Sequence, residues 1–437
     1  MLGPPMKRLK GIARLIFDAV EETTKLVEET HESVVKKHVG ILSAAPELEA
    51  PVRAVDDVRR AVTRGVYESI LLVNRGVGSL AEAGFALAEP PGPSKPEERA
   101  TPLRSDAVGS SRWWIEAAEG VLNGTIGNYL ELRKNPLSID MSFYYEGRLL
   151  PLDREGLERL GADRTRKLSV FIHGLSCTEW SWSIFAEQFH GDPEVNFGTL
   201  LRDDLGYTPI YVRYNTGRHV SENGEDLAKL LTELVANCPG PVDEIVLIGH
   251  SMGGLVARSA AHYAASTSAS WIGRLKHVFC IGSPHLGAPL EQGVNVLASI
   301  LAAFDTPGTQ IPAKILNLRS SGIKDLRFGY CVHEEWRDHE PDAFLTDKRQ
   351  DLAFIDGVGY YFIASTVFRD PEHPLADLVG DLLVRPPSAS GRHRQPERCL
   401  PFKIGKVFSG MHHLHLGNHP DVYAQIRQWC AATTSDP

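Results

Sequence analysis

One serine of the chain stands in a setting that suits a nucleophile. Ser251 lies in the segment Gly-His-Ser-Met-Gly (249–253), after the apolar run 245–248 and before a helical pattern. A serine at such a strand–turn–helix junction has strained backbone angles and needs nearly side-chain-free neighbours, which the glycines supply. The turn exposes the hydroxyl at a helix N-terminus, where the N–H of Met252 can donate to an oxyanion. The pattern predicts nucleophilic attack on a carbonyl group.

A second oxyanion donor is expected after the first strong apolar run of the chain, 168–174. This run ends in His173-Gly174, and the second donor of such sites is a backbone N–H just after a turn of this kind. We therefore predict the N–H of Leu175 as that donor. His173 itself is expected to pack under the loop rather than to act as a base.

A base must take the proton of the serine hydroxyl, which is a poor nucleophile while protonated. In this motif the chain order is serine, then acid, then histidine, so the base should lie near the C-terminus. The segment 409–419 offers His412, His413, His415 and His419 just before the last helical pattern. We predict His413 as the base, with His412 as the alternative. Zinc binding by these histidines is disfavoured because no carboxylate or cysteine accompanies them at ligand spacing.

Three aspartates after the apolar run 359–365 compete for the role of the acid. Asp381 lies in a loop that is followed by apolar residues and by a Pro-Pro-Ser stop. Such a loop can bury the carboxylate against the imidazole while hydrogen bonds keep it ionised. Asp370 and Asp377 have the surroundings of surface charges. We predict Asp381.

Short apolar runs alternate with helical patterns over the second half of the chain, and this alternation positions the candidate residues. It predicts βαβ units and a mostly parallel, doubly wound sheet with helices on both faces. Residues 141–152 predict a hairpin or edge strand. The predicted strands are 168–174, 208–215, 244–251, 277–284 and 359–365, and the predicted helices include 224–236 and 252–265.

Composition divides the chain into three parts. Residues 1–90 show two long amphipathic helical patterns joined by a proline-bearing turn, which predicts a helical hairpin. Residues 91–110 form a proline-rich linker that cannot bury a core. Residues 111–437 form the predicted catalytic domain, with a cap at about 286–350 whose apolar stretch either lines an acyl pocket or forms a plain buried helix.

The bulk composition excludes some functions and leaves others open. The net charge of −9 over 437 residues gives no basic footprint for nucleic-acid binding. No uncharged apolar run is long enough to span a membrane, and the N-terminus lacks a signal-peptide cleavage site, so we expect a cytoplasmic protein. Basic residues around an apolar stripe in residues 1–20 are compatible with peripheral contact with an anionic membrane. The alternative is that this stripe packs on the second helix.

Together these residues resemble bacterial lipases and esterases of the α/β-hydrolase superfamily, in particular the lipase-like domains related to GPI inositol-deacylases. The resembling part covers about residues 168–430. It includes the His-Gly-Leu turn, the glycine-flanked serine, a Gly-Ser-Pro-His-Leu-Gly segment after the next strand, an acid loop and a base loop, at 173–175, 249–254, 282–287, 380–384 and 413–422. In the acid loop Leu382 replaces the glycine that is usual for the family.

The resemblance implies an α/β-hydrolase fold with a cap insertion and ester hydrolysis through an acyl-enzyme, without a metal or an organic cofactor. The expected substrate is a carboxylic ester, of a lipid or another acyl group. By the same resemblance His285 is structural. A thioesterase, amidase or acyltransferase with the same triad remains an alternative, because the pocket decides which acceptor is used. A further alternative is a non-catalytic lipid-surface or scaffold protein whose helical hairpin is the functional part.

Overall fold

The computed structural model describes residues 111–135, 137–160, 166–288, 320–338, 347–370 and 376–432. The predicted hairpin (1–90) and linker (91–110) lie outside the described residues. Of the predicted cap, 286–288, 320–338 and 347–350 are described. All described strands belong to a compact unit that begins at Glu119.

One sheet organises the described part of the chain. Its strands in chain order are β1 (Ser142–Tyr145), β2 (Arg148–Leu150), β3 (Lys167–Ile172), β4 (Thr208–Arg213), β5 (Glu244–His250), β6 (Leu275–Ile281), β7 (Gly359–Thr366) and β8 (Ile404–Ser409). Their order across the sheet is β2-β1-β4-β3-β5-β6-β7-β8. Strands β3 to β8 pair in parallel, whereas β1 pairs antiparallel with β2 and with β4. The predicted hairpin at 141–152 therefore extends one edge of a parallel sheet.

Helices connect and cover these strands. In chain order they are α1 (Ser111–Leu132), α2 (Arg154–Glu158), α3 (Ala186–His190), α4 (Phe197–Leu205), α5 (Val220–Asn237), α6 (Met252–Ser266), α7 (Ser321–Asp325), α8 (Ala376–Val379), α9 (Pro386–Ala389) and α10 (Pro420–Ala432). Short 3₁₀ turns occupy Glu179–Ser183, Ile272–Arg274, His333–Glu335, Pro396–Arg398 and His413–Gly417. Helix α1 is kinked at Ile126. None of the described helices is long and apolar enough to cross a membrane.

The central strands bury both faces, which explains why they read as continuous apolar runs. Val170 and Ile172 of β3 pack in a core with side chains of α5 and α6. Phe171, between them, points to the opposite core, which includes side chains of α4 and α10. Because successive side chains of a strand alternate between faces, two cores on one sheet require helices on both sides. The predicted fold class, an α/β-hydrolase sheet, is confirmed.

Strand β8 is an addition to the predicted strands. It pairs in parallel with β7 at the edge of the sheet, and most of its residues are exposed. An edge strand with exposed side chains lacks the apolar run that marked the central strands. The base loop follows directly after it, so this strand positions His413.

Candidate active site

Ser251 occupies a sharp turn between the end of β5 and the first residue of α6. Its φ of 55° and ψ of −124° lie outside the ordinary regions for a residue with a side chain. Its N–H donates to the carbonyl of Ile281 at 2.7 Å. A β-carbon at Gly249 would collide with the backbone of Gly253, and one at Gly253 would collide with the carbonyl of Ile172. Steric need therefore explains both glycines of the motif.

Asp381 and His413 form a buried hydrogen-bonded pair. The Nδ1 atom of His413 lies 2.7 Å from Oδ2 of Asp381, and the two residues are 4% and 1% exposed. The other carboxylate oxygen, Oδ1, accepts from the backbone N–H of Leu383 at 3.0 Å and of Val384 at 2.7 Å. With Oδ2 as the acceptor, the imidazole carries its proton on Nδ1. The Nε2 atom is left as the proton acceptor.

The His413 ring lies at the same end of the sheet as Ser251. A β-carbon at Gly282 would be 3.0 Å from Cε1 of His413, and Gly282 directly follows Ile281, whose carbonyl accepts from Ser251. The Nε2 atom is buried and has no hydrogen-bond partner in the described part of the chain. The carboxyl ends of β5, β7 and β8 thus bring together three residues that the sequence singled out separately.

The other histidines of the base loop are placed differently. The ring of His412 packs on the rings of Phe185, at 5.7 Å between centres, and of His415, at 3.4 Å. It makes no hydrogen bond to Asp381, and burial lowers its pKa below the usual value. Of the two candidates for the base, only His413 contacts the carboxylate. No group of three or more potential metal ligands occurs among the described residues.

Both predicted oxyanion donors lie beside Ser251. Met252 follows it at the N-terminus of α6, where backbone N–H groups have no acceptor within the helix. A β-carbon at Gly174 would be 2.9 Å from Cβ of Ser251, so the turn that carries Leu175 passes directly over the serine. The N–H of Leu175 has no acceptor among the described residues. The N–H groups of Leu175 and Met252 are therefore both available to donate to an oxyanion formed next to Ser251.

His173 and His285 are fully buried, and their hydrogen bonds within the described part of the chain are with residues other than Ser251 and Asp381. The ring of His173 stacks on Tyr214 with 4.4 Å between centres, and its Nδ1 donates to the Gly174 carbonyl at 3.0 Å. Burial lowers the pKa of His173 to about 3. The Nδ1 atom of His285 accepts from Arg258 at 3.1 Å, and burial lowers its pKa as well. Both rings are therefore neutral groups of the core.

Sequence reasoning assigned no role to His250, yet this residue connects the serine turn to the base loop. Its Nε2–H donates to the carbonyl of His413 at 3.1 Å. In the sequence, only its position next to the candidate nucleophile pointed to such a role. The residue that it bonds, His413, is 163 residues away and cannot be identified from the local sequence.

Residues 170–349 match the family of the PGAP1-like alpha/beta domain. Among solved structures, the chain is similar to the mature lipase BlEst2 of Bacillus licheniformis, at 17% identity over 61% of this chain and 93% of that one, with a TM-score of 0.36. It is also similar to an esterase of Pyrobaculum calidifontis, at 14% identity over 62% and 78% of the two chains, with a TM-score of 0.36.

A third similar structure is the RedJ thioesterase from the prodiginine biosynthetic pathway of Streptomyces coelicolor, at 16% identity over 61% of this chain and 91% of that one, with a TM-score of 0.33. No curated protein sequence matches the chain significantly. The match to the alpha/beta domain family confirms the resemblance predicted from the sequence.

Proposed function

We propose that this protein is a serine hydrolase that cleaves carboxylic esters through an acyl-enzyme. Its residues 170–349 match the PGAP1-like alpha/beta domain family. One observation carries the proposal. The imidazole of His413 is oriented by Asp381 at 2.7 Å, and its buried Nε2 has no partner among the described residues. The ring lies at the end of the sheet where Ser251 occupies its strained turn. The core histidines His173 and His285 also have a ring nitrogen without a partner among the described residues, but neither of them contacts a carboxylate there. The contact with Asp381, together with the place beside the serine turn, is what suits His413 to act as a general base.

In the proposed reaction, Oγ of Ser251 attacks the ester carbonyl carbon while its proton passes to Nε2 of His413. The oxygen of the tetrahedral intermediate accepts from the N–H groups of Leu175 and Met252. The carboxylate of Asp381 stabilises the imidazolium without taking its proton. The proton of Nε2 then passes to the departing alkoxide, which leaves as an alcohol and yields an acyl-serine ester.

A water molecule completes the cycle. It attacks the acyl-serine carbonyl as His413 takes one of its protons, and the same two N–H groups receive the second oxyanion. Collapse of this intermediate breaks the bond to Oγ of Ser251, which regains the proton from His413. The products are a carboxylic acid and the free enzyme. No group other than these side chains, the two backbone donors and water takes part.

The test is labelling with a fluorophosphonate, together with hydrolysis of p-nitrophenyl esters of increasing acyl length. The parent protein should take up one label at Ser251, and the length series identifies the acyl group preferred. Ser251→Ala should lose labelling and about 10⁶ in kcat, the usual cost of removing a triad serine. Ser266→Ala, on the exposed end of the same helix, should behave as the parent. Ser251→Ala activity within about tenfold of the parent would refute the proposal.

A further inference from the structure

The middle of α1 packs against the loop that carries Leu175. A β-carbon at Gly120 would be 2.9 Å from the carbonyl oxygen of Cys177, and one at Gly124 would be 2.8 Å from Cα of Ser176. Residues four apart lie on one face of a helix, so both glycines meet the same segment. We call residues 173–178 the oxyanion loop. No side chain fits between this loop and α1 at these two positions.

The residue that Gly124 touches is held in an uncommon conformation. Ser176 has a φ of 60°, in the left-handed region that residues with a side chain rarely adopt. Its N–H donates to Oγ1 of Thr216 at 3.1 Å. A strained conformation persists only where surrounding contacts hold it, and such strain clusters at functional sites. Here α1 restrains Ser176 from one side, and Thr216 restrains it from another.

Helix α1 is itself anchored next to this contact. The side chain of Asn123 is fully buried, donates to the carbonyl of Leu137 at 2.8 Å and accepts from the N–H of Ile139 at 2.9 Å. The hydroxyl of Ser320 donates to the carbonyl of Gly124 at 2.6 Å. The helix therefore offers the oxyanion loop a fixed surface rather than a movable one.

We propose that Gly124 and Thr216 are positioning residues, which fix the N–H of Leu175 for the oxyanion by holding Ser176 at its positive φ. This inference rests on the proposed function and extends it to α1, which precedes the residues that match the family. Leu175 lies between Ser176, which α1 restrains, and Gly174, which passes over Ser251. A displacement of about 1 Å in such a group can cost a factor of about 10² in rate.

Gly124→Ala in the full-length protein tests the contact with α1. The added methyl group must displace the backbone of Ser176, so kcat per titrated active site should fall about tenfold or more. KM for a short p-nitrophenyl ester should stay within about twofold, because an oxyanion donor acts mainly in the transition state. Thr125→Ala, at the exposed neighbouring position of α1, is the control and should retain the parent kcat.

Two further variants separate positioning from general damage. Ser176→Gly removes the Oγ and Cβ atoms that the methyl group at position 124 would meet, leaves only the contact with Cα, and suits a positive φ. Gly124→Ala combined with Ser176→Gly should therefore regain part of the lost kcat. Thr216→Val keeps the shape of the threonine and removes the acceptor of the Ser176 N–H. It should reproduce the split between kcat and KM even if Gly124→Ala does not fold.

The kcat and KM values of these variants can support or overturn the positioning role of Gly124 and Thr216. Loss of kcat per titrated site with unchanged KM, together with rescue by Ser176→Gly, supports the positioning role. Parent values of kcat per titrated site in Gly124→Ala and in Thr216→Val would overturn it, as would a loss that Ser176→Gly does not rescue. A parent protein that takes no fluorophosphonate at Ser251 refutes the proposed function first. A parent that labels, with fully active variants, refutes only the role of α1.

Discussion

The imidazole of His250 lies against that of His413, with 4.7 Å between the ring centres, and donates from Nε2 to the His413 carbonyl at 3.1 Å. The residue before the proposed nucleophile thus holds the loop of the proposed base. Burial is the main cause that lowers the pKa of His250 to about 3, and the neighbouring His413 ring lowers it further. The His250 ring is therefore neutral near pH 7 and adds no positive charge beside the base.

This contact predicts a specific effect of replacing His250. His250→Leu removes the hydrogen bond from Nε2 to the His413 carbonyl, and such a bond typically contributes about 0.5–1.5 kcal/mol to stability. We expect a lower melting temperature and a kcat reduced by about tenfold. His250→Gln can still donate and should lie between the leucine variant and the parent. Thermal unfolding and p-nitrophenyl ester kinetics check both, and a fully active leucine variant would contradict the role given to this contact.

The proposed triad predicts an order of losses. His413→Ala should be nearly as inactive as Ser251→Ala, and Asp381→Asn should lose up to about 10⁴ in kcat because its amide favours the wrong imidazole tautomer. His412→Ala should stay close to the parent, since this ring makes no bond to Asp381. Single-turnover and steady-state rates measure the order. If His412→Ala is inactive and His413→Ala is active, His412 and not His413 is the base.

Leu382 predicts a stability effect at the acid loop. Its φ of 84° is one that favours glycine, and its side chain is 38% exposed. Leu382→Gly should relieve about 1 kcal/mol of backbone strain and roughly offset the apolar contact that it removes. Leu382→Val puts a β-branched side chain on the same backbone and should destabilise by about 1–2 kcal/mol. Chemical denaturation measures both, and equal stability of the two variants would show that the strain is absent.

Buried neutral histidines predict acid sensitivity. Burial lowers the pKa values of His173 and His250 to about 3 and that of His277 to about 4, from an ordinary value of 6.5. The unfolded chain therefore binds more protons below pH 6.5, and the free energy of unfolding falls as pH falls towards these values. Each histidine contributes a slope of at most about 1.4 kcal/mol per pH unit, reached where it is protonated only in the unfolded chain.

His277 offers the test of this slope because its ring lies among aromatic rings, 5.8 Å from Phe279 and 5.5 Å from Tyr361 between centres. His277→Phe should reduce the slope by about 1 kcal/mol per pH unit between pH 6 and pH 4.5. The pH dependence above pH 7 should be unchanged, since the histidine is neutral there in both states. Parallel curves for the parent and the variant down to pH 4.5 would contradict the prediction.

Local physics explains what the sequence determined by itself. The serine turn needs glycines within two residues of Ser251, so the residues that meet its steric requirement all lie in one short segment of the sequence. Strands buried on both faces must be apolar throughout, which made β3 to β7 visible as runs. Strand β8 was not predicted because its exposed residues form no such apolar run, although its place in the sheet positions the base loop.

The partners of the serine were decided by tertiary structure. Asp381 and His413 are 32 residues apart, and although loop surroundings favoured Asp381 over Asp377, the sequence left His412 open beside His413 and could not show the contact itself. The same holds for His250 and His413, which are 163 residues apart, and for the glycine face of α1 against Ser176. Local periodicity reports which face of an element is buried. Which loops meet at the ends of the strands depends on how the strands are ordered in the sheet, and that order arises only when the whole chain packs.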